Sequence, residues 1–215
     1  YVAWAIASGF LAPALIGWML GSFWGGFWIL GALRIVLTQQ STFFVNSLCH
    51  TLGQQTYSDK ISARDSLLVA FLTHGEGYHN FHHTFQSDYR NGIRWYQWDP
   101  TKWTIWTLSI LGLTKKLKTI SSHEILKARL HMEELRLKRK GICHERIDQL
   151  RNRVLSAQAS FKRLHDDYDQ MKKNLETASQ QKVQQLRIDL EVAKLEFQNS
   201  LQQWKTMYQL SLNGL

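Results

Sequence analysis

Residues 1–33 read YVAWAIASGFLAPALIGWMLGSFWGGFWILGAL and contain no Asp, Glu, Lys or Arg. The first 58 residues hold a single charge, Arg34. A bilayer span needs about 20 mostly apolar residues, so this stretch is too long for one core helix of a soluble domain. It predicts two transmembrane helices, over 2–20 and 27–48. The turn at 21–26 is rich in Gly and Trp, which suits a reversal at the membrane interface.

Most charged residues of the chain lie in its C-terminal part. From residue 115 onward there are 20 Lys and Arg against 12 Asp and Glu, in a chain whose net charge is +9. This partition excludes a uniformly soluble globule, a collagen-like chain and a secreted disulfide scaffold. Because basic segments stay on the cytoplasmic side, we expect an integral membrane protein whose residues after His50 are cytoplasmic.

Histidines cluster just after the apolar half. Asn46 and His50 stand one helical turn apart, and a second group follows at 75–85, which reads GEGYHNFHHTF. In that group His79, His82 and His83 fall at i, i+3 and i+4, so a helix presents three imidazoles on one side. Convergent imidazoles predict a metal site for iron, zinc, copper or nickel, and the absence of an accompanying Cys favours iron over zinc. The candidate partners that orient these rings are Glu76, Asp88 and Asn80.

These motifs, together with DYR at 88–90 and RW at 94–95, resemble a known family. The sequence is similar to the C-terminal half of membrane acyl-CoA Δ9 fatty acid desaturases of the stearoyl-CoA desaturase type, and most of all to the bacterial members. The resemblance covers about residues 1–118. It is specific because the GEGYHNFHH string, the Asn-Ser-x-x-His turn and the preceding hairpin occur in the family's order.

The resemblance implies a reaction and a set of ligands. His50, His79, His82 and His83 match ligands of a two-iron centre, and Asn46 matches a position that reaches one metal through water. In the family the irons and O2 insert a cis double bond into a fatty acyl-CoA or acyl-lipid chain. The electrons come from a donor such as ferredoxin or cytochrome b5.

The sequence also departs from the family pattern. Two further histidine boxes are expected upstream of Tyr1, and the other five histidines do not form them. About half of the iron ligands are therefore missing, and we expect a piece of a longer desaturase that is inactive alone. Two alternatives stay open, a membrane hydroxylase with the same kind of histidine boxes and a degenerate, non-catalytic scaffold that presents its tail.

The polar half of the sequence is predicted to form long helices. The stretch 103–113 is expected to rest on the membrane surface. Beyond it Gly141 is the one candidate helix break. Apolar residues then alternate at spacings of four and three, which is typical of a coiled-coil seam. The first run is Leu150, Val154, Ala157, Phe161, Leu164, Tyr168, Met171, Leu175 and Ala178, and after a one-residue slip the second is Val183, Leu186, Leu190, Ala193 and Phe197.

This seam, within 150–212, could self-associate, fold back as a hairpin or bind a partner helix. The basic stretch 115–163 could touch anionic lipid or be a solvated face, and the lack of interleaved aromatic residues argues against nucleic acid. The predicted fold class is therefore all-α. A membrane hairpin at 1–50 and a cytosolic histidine-box cap at 51–118 precede a coiled-coil-like tail at 119–215.

Overall fold

The computed structural model describes residues 1–173 and 180–213. The regular elements of these residues are helices, with two isolated β-bridges and no strand. The all-α prediction is confirmed. The chain divides into two compact units, one made of 1–55 and 60–119 and the other of 56–59 and 120–215. The predicted hairpin and most of the predicted cap lie in the first unit, whereas cap residues 56–59 belong to the second.

The hairpin consists of two helices. The first, α1, runs through Val2–Ile6, a π-helical segment Ala7–Leu11 and Ala12–Met19. The second, α2, runs through Phe23–Gly25, a π-helical segment Gly26–Leu33 and Arg34–Leu48. The reversal is shorter than predicted, because Gly21 adopts a positive φ of 95° and the Ser22 hydroxyl accepts the Gly25 N–H, which starts α2 at Phe23. Such a cap satisfies one donor that a helix start otherwise leaves unpaired.

Only one of the two helices, among the residues described, is long and apolar enough to cross a bilayer by length and composition. It is Val2–Met19, with a mean hydropathy of 1.6. In α2 the polar run 38–42, Thr-Gln-Gln-Ser-Thr, follows Arg34 and dilutes the apolar character. The second predicted span therefore stays a prediction.

Arg34 is satisfied inside the hairpin. Its Nε donates to the Leu30 carbonyl at 2.9 Å, and its Nη2 donates to the Ser8 carbonyl at 3.4 Å. A guanidinium in an apolar helix needs such partners, because an unpaired buried charge is costly. Both partners of Arg34 are therefore polar groups of the protein.

Glycines let the two hairpin helices touch backbone to backbone. A Cβ added to Gly17 would lie 2.3 Å from the Cα of Gly26, and a Cβ added to Gly26 would lie 2.4 Å from the Pro13 carbonyl oxygen. Small residues permit this close approach in membrane helix pairs.

Replacing Gly17 with alanine is expected to separate the hairpin and to cost about 2–3 kcal/mol, the usual penalty of overpacking. Gly9→Ala is the matched control, because its added Cβ meets only the Ile35 Cδ1 at 3.3 Å, and that side chain can rotate. Thermal unfolding in detergent, followed by circular dichroism, measures both. Equal melting temperatures for the two variants would contradict the packing argument.

Three short helices build the cap. They are α3 (Leu67–Leu72), α4 (His79–Thr84) and α5 (Pro100–Ile110). Side chains start each of them, since Ser66 accepts the Val69 N–H and Asp99 accepts the Lys102 N–H. Asp65 accepts the N–H groups of Asn80 and Phe81 at the start of α4. An acidic side chain at this end also favours the helix dipole.

The described residues of the tail form three helices, α6 (Ser122–Arg139), α7 (His144–Lys173) and α8 (Gln180–Leu212). The predicted break at Gly141 is confirmed, with a positive φ of 79°. α7 and α8 pack along each other, and Phe161 stacks on Phe197 with ring centroids 6.4 Å apart. The described seam residues are buried or half-buried, whereas Leu175 and Ala178 lie outside the described residues. Of the alternatives for this seam, folding back within the chain is the one that the described residues show.

Candidate metal centre

Two separate motifs bring histidines to one place. His50 follows the end of α2, and the Arg64 N–H donates to the Cys49 carbonyl at 2.7 Å, which ties the chain after His50 back to this helix end. The second motif lies on α4, whose start is held by Asp65. Gly77 lets the turn before α4 pack on α3, because a Cβ there would lie 2.0 Å from the Ala70 nitrogen.

His50, His79 and His83 form the core of the site. One ring nitrogen from each lies within 4.8 Å of the others. The Nε2 atoms of His79 and His83 are 3.0 Å apart. Metal–nitrogen bonds of about 2.1 Å at about 90° give a separation of roughly 3.0 Å, so this pair fits two neighbouring positions around one metal ion.

The electrostatics favour the ligating form of the imidazoles. Burial and, after it, the charges of His83, His50 and His82 together lower the pKa of His79 to about 4, while a hydrogen bond with the Glu76 backbone acts in the opposite direction. Burial, followed by the charges of His82 and His50, also lowers the pKa of His83. At neutral pH these rings are neutral, which is the state that binds a metal.

The structure places the other two predicted ligands beside this group. The ring centroid of His82 lies 6.2 Å from that of His79 and 5.6 Å from that of His83. His82 is therefore outside the group of His50, His79 and His83, here called the close trio. Asn46 and His79 both line an open cleft of about 560 Å³, whose walls include Leu37, Val45 and Glu76. One turn of α4 separates His79 from His83, whereas His82 is rotated by about 100° from His83.

The three predicted orienting residues have these contacts. Glu76 accepts the Asn91 Nδ2–H at 3.0 Å and lines the cleft beside His79. Asp88 binds the guanidinium of Arg90 through both carboxylate oxygens. Asn80 is fully buried, and its Nδ2 donates to the Ala63 carbonyl, so it fixes the cap loop to α4.

Sequence reasoning missed the residue that contacts His50. The Oγ of Ser62 lies 2.8 Å from His50 Nδ1, which makes Nε2 the nitrogen available to a metal. Ser62 is twelve positions away in a loop without periodicity, so no local signal marks it. Asp99 was missed as well, although its position before Pro100 is a recognisable helix start.

Removing the Ser62 hydroxyl should loosen His50. Partners that orient a ligating histidine typically contribute 10–100-fold to metal affinity, so we expect Ser62→Ala to weaken Co²⁺ binding by about tenfold. Ser87→Ala is the matched control, because Ser87 is an exposed cap residue. Co²⁺ titration followed by its visible absorption measures both. An unchanged affinity in Ser62→Ala would show that His50 needs no such support.

The hairpin and the histidine motifs lie within the residues that a family model matches. A family model described as fatty acid desaturase matches residues 1–109. Acyl-CoA desaturase 1 of Saccharomyces cerevisiae is 41% identical over 141 residues, which are 65% of this chain and 28% of that protein. A probable acyl-CoA desaturase of Schizosaccharomyces pombe is 45% identical over 119 residues, 55% of this chain and 25% of that protein.

The likeness extends to bacteria and past the cap. The sn-1 stearoyl-lipid 9-desaturase of Synechocystis is 40% identical over 113 residues, 53% of this chain and 34% of that protein. The alignment with the S. cerevisiae protein is too long to end at residue 118 and must include α6, so the similarity reaches further than the sequence motifs suggested. The chain spans about a quarter to a third of the length of these relatives. The matched residues carry the hairpin and the convergent histidines, and the chain belongs to the fatty acid desaturase family.

Proposed function

We propose that this chain forms the part of a membrane fatty acyl desaturase that carries the third histidine box, and that the enzyme inserts a cis double bond at Δ9. The observation that supports this most is the convergence of His50 with His79 and His83 from two distant motifs. The substrate would be a fatty acyl-CoA or an acyl lipid, as the names of the relatives suggest.

The residues present fit the metal that this reaction needs. His50, His79 and His83 would hold one ion, and His82 and Asn46, the latter through water, would complete the contribution of this chain to a pair of irons. Bound iron supplies the activation of O2 that removes hydrogen from an unactivated methylene. Overall, two hydrogens of the acyl chain and two donated electrons with two protons reduce O2 to two waters.

The chain itself contributes neutral ligands, positioning and a binding surface. The lowered pKa of His79 keeps its ring unprotonated at neutral pH, so no proton has to leave before a metal binds. The cleft beside His79 combines the apolar Leu37 and Val45 with the polar Asn46 and Glu76. Such a wall could guide an acyl chain toward the histidines. The histidines and the tail would face the cytoplasm, where ferredoxin or cytochrome b5 could deliver electrons.

A chimera tests the proposal. This chain would replace the matching segment of the S. cerevisiae relative in a host without its own desaturase, and total fatty acids would be analysed. We expect cis-monounsaturated chains, none with His79→Ala, and wild-type levels with His165→Ala, which alters an exposed tail histidine. Hydroxylated chains would favour the hydroxylase reading, and a stable, iron-loaded chimera without either product would refute the enzyme proposal.

A further inference from the structure

An apolar face of α5 and of the turn after it is open to solvent. It consists of Trp103, Trp106, Ile110, Leu111 and Leu113, and is here called the α5 face. The last four of these side chains are 54–71% exposed. Trp103, Trp106 and Ile110 follow the i, i+3, i+7 spacing that aligns side chains on one side of a helix. Contiguous exposed apolar surface of this kind marks a binding site for a protein or a membrane.

The helix α5 is firmly anchored in the cap by Lys102, which borders the α5 face. Lys102 is 4% exposed, and its Nζ donates to the carbonyls of Gly92 and Arg94 at 2.8 Å each. The chain after α5 is tied down too, since Thr114 donates to the Ile105 carbonyl and the Tyr89 N–H donates to the Lys118 carbonyl. The α5 face is therefore held in a fixed orientation by contacts that flank it.

Positive charge follows directly on the apolar residues. Lys115, Lys116 and Lys118 are exposed, and residues 100–119 contain no Asp or Glu. Tryptophan at the edge of an apolar patch with lysines beside it is the composition of an interfacial membrane anchor. The lysines complement anionic lipid headgroups. The same compact unit contains Val2–Met19, the helix that can cross a bilayer.

We propose that the α5 face lies in the interface of a bilayer and that Lys115, Lys116 and Lys118 bind anionic phospholipid headgroups. The segment is thus a second membrane contact, distinct from the hairpin, and it attaches the histidine-box cap to the lipid surface. The apolar side chains supply the insertion and the lysines supply the lipid selectivity.

Spin labels in the full chain test this directly. Cys143, which is exposed, is replaced by serine, and a nitroxide is attached to a cysteine introduced at Leu113 or, as a matched control on the opposite side of α5, at Thr101. The protein is reconstituted in phosphatidylcholine vesicles with and without one-fifth phosphatidylserine. In the anionic vesicles we expect the Leu113 label to be accessible to O2 and shielded from a water-soluble nickel chelate, and the Thr101 label to be accessible to the chelate.

Charge removal provides the second arm. Lys115→Gln, Lys116→Gln and Lys118→Gln together should lower the ratio of inserted to exposed label, by about fivefold per lysine, in anionic vesicles. The matched triple change Lys162→Gln, Lys172→Gln and Lys173→Gln, at exposed tail positions, should leave it unchanged. Three results would overturn the proposal. The first is a Leu113 label that is accessible to the chelate in both kinds of vesicle. The second is a Leu113 label that is shielded from both O2 and the chelate, as in a protein contact. The third is an insertion that changes neither with phosphatidylserine nor with replacement of the three lysines.

Discussion

Replacing His79 with alanine is expected to weaken metal binding by this chain at least 100-fold. Loss of an orienting partner alone costs 10–100-fold, and His79 is a direct candidate ligand that is 5% exposed, with its Nε2 3.0 Å from that of His83. Anaerobic Fe²⁺ titration, or Co²⁺ titration followed by absorption, gives the dissociation constants.

Two variants make the His79 result specific. His165→Ala removes an exposed tail histidine and should leave the affinity unchanged. His82→Ala should cost less than His79→Ala, because the ring of His82 lies outside the close trio. If His79→Ala binds as tightly as the unmodified chain, or if His82→Ala is the more damaging change, the trio is not the centre of the site.

Replacing Asp99 with alanine is expected to cost about 3–5 kcal/mol of stability in the cap. Asp99 is fully buried, and its carboxylate accepts the N–H groups of Asn91, Gly92 and Lys102 at 2.8–2.9 Å. The change leaves three buried donors without their acceptor and removes the carboxylate that favours the charged form of Lys102. Asp99→Asn, which retains one acceptor oxygen, should cost about half as much.

Hydrogen exchange in detergent, read at the amides of residues 91–102, measures this loss locally. Asp169→Ala, at an exposed tail position, is the control. Burial lowers the pKa of Lys102, so between that value and 10.5 the unfolded state binds more protons and stability rises with pH. The defect of Asp99→Ala should therefore shrink as the pH approaches 10. Unchanged protection in Asp99→Ala would show that the loop does not depend on this carboxylate.

The periodic features were readable from the sequence because local rules govern them. A 33-residue run without charge has to bury or face lipid, and its composition alone predicts the first membrane helix. Gly141 interrupts a long helical pattern where a positive φ is needed. The inward positions from Val183 to Phe197 follow from spacing, and the spacing of the box places His79 and His83 on one helical turn.

The sequence did not show which partner the seam packs against, because a heptad pattern is the same whether the partner is another chain or the next helix. In the structure Phe161 meets Phe197 within the chain, and Trp204, from α8, lies fully buried in the same cluster as Leu130 of α6. Whether the seam packs within the chain or against another chain depends on the total apolar surface that the three helices can bury together. That surface is a property of the assembled unit.

The sequence by itself determined an all-helical chain, an apolar hairpin, a histidine helix and the desaturase motifs, since each of these is written in residues a few positions apart. The tertiary structure alone decided that His50 joins His79 and His83, that Ser62 holds His50 and that Asp99 supports the loop behind Glu76. These contacts join residues 8 to 33 positions apart across irregular loops, whose paths are set by backbone hydrogen bonds and by close packing at glycines such as Gly77. No local periodicity encodes such paths, so only the folded chain shows them.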